Sequence, residues 1–181
     1  MYFGTGDVSD PTASNAQERF FAVKDNDRSS TWNANDLEHL QQASDIYGGS
    51  GDGWYFNLPG QGIKILADPT VFNGVVYFTA YTPGNANDPC AKGGQADLYA
   101  MDYKTGQGMF ENNARSKNIG EGIPSAPVVS LNPYGGTDIY VSTSEISGTN
   151  NDTAHTQKQD APTGQNFNKT NLLFWRDMRV Q

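Results

Sequence analysis

The stretch VVYFTAY (Val75–Tyr81), followed by a polar loop and then DLYAMDYKTG (Asp97–Gly106), decides the fold class of this chain. Successive side chains of a strand point to opposite faces. Val76 and Phe78 therefore fall on one side, and Tyr77 and Thr79 on the other. Both halves are rich in β-branched and aromatic residues. The Gly-, Asn- and Pro-rich run between them reads as the turn of an antiparallel pair.

Working outward, the same unit recurs. MYFGTG (Met1–Gly6) and RFFAVKD (Arg19–Asp25) flank a polar loop upstream, and DIYVSTS (Asp138–Ser144) and NLLFWRDM (Asn171–Met178) flank a longer one downstream. Further strands are expected before the second unit at GWYFNL (Gly53–Leu58) and GIKILADPTVF (Gly62–Phe72), and before the third at KNIG and APVVSL (Ala126–Leu131). Four antiparallel strands in a repeat of roughly 40–60 residues are the signature of a propeller blade. The expectation is an all-β chain forming a partial β-propeller of about two and a half four-stranded antiparallel blades with one short helix. Residues 1–32 end one blade, 33–45 form the helix, 52–106 make a complete blade, and 107–181 form the last, with a long surface loop at 147–169. Propellers close with about four blades or more, so such an arc leaves faces for other chains, or other parts of a longer chain, to cover.

Composition agrees. Of 181 residues, 36% are hydrophobic and 12% aromatic, enough to bury a core, and 20 Gly and 9 Pro suit a turn-rich β chain. The formal net charge of −8 repels phosphate backbones, which argues against nucleic acid as a partner. No apolar run approaches the roughly 20 residues of a membrane-spanning helix. Met1 leads directly into YFGTG without a basic region or apolar stretch, so no secretory signal is expected here. Met1 reads equally as a start added to a fragment or as an internal residue of a longer precursor.

Helix 33–45 (NANDLEHLQQASD) is expected to be capped by Asn35, with Glu38 three residues on, and to carry Leu37 and Leu40 on one face. It reads as an interblade helix or as a docking helix for a partner. Just before it, DNDRSSTWNAND places oxygen side chains at alternate positions, Asp25, Asp27, Ser29, Thr31 and Asn33, and at the twelfth, Asp36. Alternating hard oxygen ligands are what Ca²⁺ takes, so Asp25, Asp27, Ser29 and Asp36 are the candidate calcium ligands. Ser30 stands where the loop wants Gly, and Asp36 where a bidentate Glu is usual, so an Asp-rich turn is the competing reading.

The lone Cys90 has no partner in this chain. It reads as an inert loop thiol or as one half of an intermolecular bridge. His39 and His155 lie apart, with neither metal spacing nor a nucleophile elbow nearby. His155 falls in the expected surface loop. Asn151 and Asn168 head glycosylation triplets that arise readily by chance in so Asn- and Thr-rich a chain. Trp54, Tyr55, Tyr77, Phe78, Tyr99 and Phe110 sit on alternating strands and read as core rather than as a ligand site. No catalytic residues and no cofactor-binding residues are expected.

The stretch Gly53–Gly106, with its Gly-Trp-Tyr, Leu-Pro-Gly, Asp-Pro-Thr-Val, Tyr-Phe-Thr, Gly-Gly and Leu-Tyr-Ala-Met-Asp elements, resembles the C-terminal propeller of the PilY-like family. YFGTG, QERFFAVKD and SAPVV extend the likeness over most of Met1–Leu131. These are type IV pilus biogenesis factors and tip adhesins. The resemblance implies a non-enzymatic, extracellular component of the cell-surface pilus, acting in assembly, in adhesion or as a filament subunit. Its implied partners are a type IV pilin or minor pilin, a short helical pilin, or other copies of itself. AMDYKTGQGMF (Ala100–Phe110) also resembles the blade-docking repeat of quinone-dependent alcohol dehydrogenases, with Gln107 and Phe110 in place of the repeat's Lys and Trp. Two rivals follow, the remnant of a quinone-dependent propeller oxidoreductase and a scaffold propeller of outer-membrane assembly.

Overall fold

The computed structural model describes residues 1–13, 15–25, 29, 31, 33, 36–37, 40–43, 47–49, 51–84, 93–131, 137–144 and 155–161. Eleven strands fill these residues: β1 Tyr2–Gly4, β2 Arg19–Val23, β3 Gln41–Gln42, β4 Gly53–Asn57, β5 Thr70–Phe72, β6 Val75–Thr82, β7 Gln95–Asp102, β8 Ser116–Glu121, β9 Val128–Leu131, β10 Thr137–Thr143 and β11 His155–Asp160. Among the described residues, helix is confined to a single turn at Asp36 and Leu37 and a 3₁₀ turn at Glu111–Asn113. The all-β expectation is met.

Three sheets form, ordered β1-β2-β4-β3, β5-β6-β7-β8 and β9-β10-β11, with every pairing antiparallel except the short β3–β4 one. The middle sheet is a simple meander. Its β5–β6 turn is Asn73–Gly74, with φ of +51° and +78°, the left-handed pair that matches the twist of a tight hairpin.

Strand membership differs from the sequence expectation. Gly53–Asn57 pairs with β2, through Phe20↔Phe56 and Phe21↔Tyr55, and so completes the first sheet instead of opening the second. Ser116–Glu121, which contains the KNIG expected in the third unit, pairs with β7 and closes the second sheet. The physical reason is the face each strand buries: Trp54 packs beside Phe20 in the seam below the middle sheet, and Ile119 joins Leu98 above it.

Two further segments depart from expectation. Within 33–45, Gln41–Gln42 is a strand parallel to β4, not helix, with Gln41 opposite Trp54. The turn that does form is capped by Asn33: its side-chain oxygen accepts from the Asp36 N–H at 3.3 Å, and the Asp36 carboxylate accepts from the Asn33 N–H at 2.8 Å. This is a reciprocal cap two residues earlier than expected. Asn35 and Glu38 lie outside the described residues. Within the expected loop 147–169, His155–Asp160 is a strand paired along its whole length with β10. A polar edge strand needs backbone partners rather than an apolar face, and Lys158 adds an ion pair to Asp138 at 3.1 Å. The strand expected at Asn171–Met178 lies outside the described residues, as does Cys90.

The sheets stack as layers. Val76, Phe78 and Ala80 of β6, with Tyr99 and Met101 of β7, meet Phe20, Ala22 and Trp54 of the first sheet. From the opposite face Val75, Tyr77, Ala96, Leu98 and Ala100 meet Ile139 and Val141 of the third. The alternation read at Val76, Phe78 and Tyr77 thus holds, and β6 is buried on both faces over Val75–Tyr81. Thr79, on the second face, donates its hydroxyl to the Ser125 carbonyl at 2.9 Å. The outer face of the first sheet carries Phe21 and Val23, covered by Leu40 with Leu37 and Tyr55 packed against them.

Candidate functional site

Two segments cross the seam between the first and second sheets: Lys64 and Ile65, bonded to Tyr81 on one side and Thr5 on the other, and the turn after β7. After β7 the chain reads Asp102-Tyr-Lys-Thr-Gly-Gln. Asp side chains accept readily from backbone N–H groups two and three residues on, which closes such turns locally. Here Asp102 Oδ1 accepts from the N–H of Lys104 at 3.0 Å, the N–H of Thr105 at 2.7 Å and the Thr105 hydroxyl at 2.9 Å. Gly106 takes φ of +70°, and a Cβ there would stand 2.9 Å from Ala43 Cβ and 3.3 Å from Trp54 Cδ2. A side chain would therefore push the turn off the first sheet.

The turn's carbonyls reach across the seam. The Tyr103 oxygen accepts from the Tyr2 hydroxyl at 2.9 Å, and the Thr105 oxygen accepts from the Tyr47 N–H at 3.0 Å. Beside it Arg115 Nε donates to the Gly106 oxygen at 2.9 Å while its guanidinium lies 5.3 Å from the Phe56 ring centre. The segment read as a blade-docking repeat thus ties one sheet to the next through its backbone.

The turn does not fill the seam. A pocket of about 400 Å³ opens where it meets the first sheet, walled by Tyr2, Tyr47, Trp54 and Tyr103. Lys24 and Lys104 stand at it too. Lys24 Nζ donates to the Gly49 oxygen at 2.7 Å and the Tyr47 hydroxyl at 3.3 Å, and lies 5.3 Å from the Tyr47 ring centre. Lys104 Nζ lies 5.3 Å from the centre of the Tyr103 ring. Burial, with Tyr103 and the Asp102 charge nearby, raises the Tyr2 phenol above its ordinary pKa, so it stays neutral at physiological pH. Trp54 is 1% exposed, and its buried Nε1–H has no hydrogen-bond acceptor among the described residues.

The expected core aromatics are placed as core. Trp54, Tyr77, Phe78 and Tyr99 are buried, and Tyr55 and Phe110 pack against core clusters. Of the candidate calcium ligands, Asp25 is exposed at the end of β2, Ser29 is in a turn, and Asp36 spends its carboxylate on the Asn33 cap; Asp27 lies outside the described residues. Among the described residues no three His, Cys, Asp or Glu side chains come together. The pocket has no sequence signature, because Tyr2, Lys24, Tyr47, Trp54 and Tyr103 come from separate segments with no shared spacing. The one local signal was the Asp-x-x-Thr-Gly turn itself.

No family model matches the chain. No curated protein matches it either. Among solved structures, the C-terminal domain of PilY1 from Pseudomonas aeruginosa is similar over 76% of this chain, at 16% identity and a TM-score of 0.46. The chain spans 39% of that structure's length. Among the described residues no helix is long and apolar enough to cross a membrane.

Proposed function

We propose that this chain is a non-enzymatic, extracellular component of a type IV pilus, built of successive propeller blades that pack against pilin subunits. The observation that carries the blade reading is the Asp102–Gln107 turn. It leaves the second four-stranded sheet and docks on the first through Gly106, the Tyr103 oxygen and the Thr105 oxygen. Four-stranded antiparallel sheets repeated side by side are the build of propeller blades. The Asp102 carboxylate is consumed by hydrogen bonds within its own turn, which favours a structural role for it over a catalytic one. The pilus assignment is supported by the motif resemblance of Gly53–Gly106.

The test is cellular. Cells lacking the gene are expected to lose surface pili or twitching motility, and the tagged protein is expected to fractionate with sheared pili and to crosslink to a pilin. Normal piliation and motility without it, together with its absence from sheared fibres, would overturn the assignment.

A further inference from the structure

We propose that the pocket between β4 and the Asp102–Gln107 turn binds a small organic anion with a planar apolar body, an aryl carboxylate. Its volume of about 400 Å³ lies in the range of about 300–1,000 Å³ typical of small-molecule sites. Four aromatic side chains supply flat apolar walls, which suits a ring. Both charged side chains of its lining, Lys24 and Lys104, are cations, and each brings an ammonium group to the pocket.

Aromatic walls alone also suit an organic cation. Here the rings of Tyr47 and Tyr103 each already hold an ammonium group at 5.3 Å, so a second cation would be repelled. The nearest carboxylate of the turn, Asp102, is occupied by three donors of its own loop. Two lysines at one pocket also run against the charge of a chain that is −8 overall. The inference stands on the pocket alone and does not depend on the pilus assignment.

Calorimetric titration of the full chain tests it with phenylacetate, the neutral phenylacetamide and a phenethyl-trimethylammonium salt. Phenylacetate is expected to saturate with a Kd of about 1 mM or tighter, as suits a ligand of this size. The amide should bind about tenfold more weakly, and the ammonium salt should not bind. Lys104→Met and Lys24→Met, both exposed and expected to fold, should each weaken phenylacetate about five- to tenfold. Equal binding of acid and amide, preference for the ammonium salt, unchanged affinity in both lysine variants, or no saturation by phenylacetate would each overturn the proposal.

Discussion

The two seams flanking the middle sheet are built from different materials. Below it lie stacked rings: Phe20 on Phe78 at 4.0 Å, Phe78 on Tyr99 at 4.7 Å, and Phe56 tilted against Tyr99 at 5.9 Å. Above it lie mostly aliphatic and small side chains, Val75, Ala96, Leu98, Ala100 and Ile119 against Ile139 and Val141. Large planar rings bury much area per residue, but they meet only in certain orientations. Small aliphatic groups interdigitate more closely. The lower seam therefore combines the larger apolar burial with the pocket, and backbone bonds of the turn and of Lys64 and Ile65 hold its register. The upper seam is clipped by single side-chain bonds, from Thr79 to Ser125 and from Thr70 to Pro127.

The comparison can be broken most forcefully at Phe78. Phe78→Ala should cost about 3–5 kcal/mol in denaturant unfolding, since it removes the centre of the ring stack. Ile139→Ala on the upper seam should cost less, about 2–3 kcal/mol. Equal or reversed losses would mean that the rings do not dominate.

Alkali loads both seams at once. Burial pushes the Tyr99 phenol, in the lower seam, up to about 12, and raises the Tyr77 phenol, in the upper seam, in the same direction. A folded-state pKa raised above the unfolded value of about 10 means the neutral form is favoured in the fold. That contribution is whole below pH 10 and fades as pH climbs from about 10 to about 12. Tyr99 alone should account for a loss of about 2 kcal/mol across that window. Tyr99→Phe should flatten the alkaline slope and leave a residual part from Tyr77, as followed by unfolding midpoints against pH.

Gly106→Ala should cost about 1–2 kcal/mol through its left-handed backbone and its contact with Ala43. The expected signature is loss from the lower seam alone, seen as faster amide exchange in β4 with β10 unchanged. The smallest effect is a gain. Burial raises the pKa of Asp97, so its charge at neutral pH is a cost to the fold, offset in part by Asn118 donating at 3.4 Å. Asp97→Asn should raise the thermal midpoint slightly at pH 7 and lose that advantage below pH 4.

What could be read in advance follows from what each signal encodes. Alternation at Val76, Phe78 and Tyr77 reports a two-faced strand, and β6 is buried on both faces. The same alternation does not report which neighbour a strand pairs with: chain proximity groups Gly53–Asn57 and Ser116–Glu121 with the sheets that follow them, and hydrogen bonding places each in the preceding sheet. His155–Asp160 was invisible because an edge strand held by backbone bonds and one ion pair carries no apolar signature. Leu37 and Leu40 at helical spacing did mark a buried contact, but the covering segment turns into strand at Gln41. The pocket has no local signature, since its walls meet only once the Asp102–Gln107 turn docks.

Amide hydrogen exchange across the whole chain tests the layered arrangement most directly. A sheet enclosed on both faces predicts that β6 and β7 exchange last, near the rate of global unfolding, with β1, β5 and β9 exchanging earlier. Exchange of β6 and β7 as fast as those edge strands would contradict it.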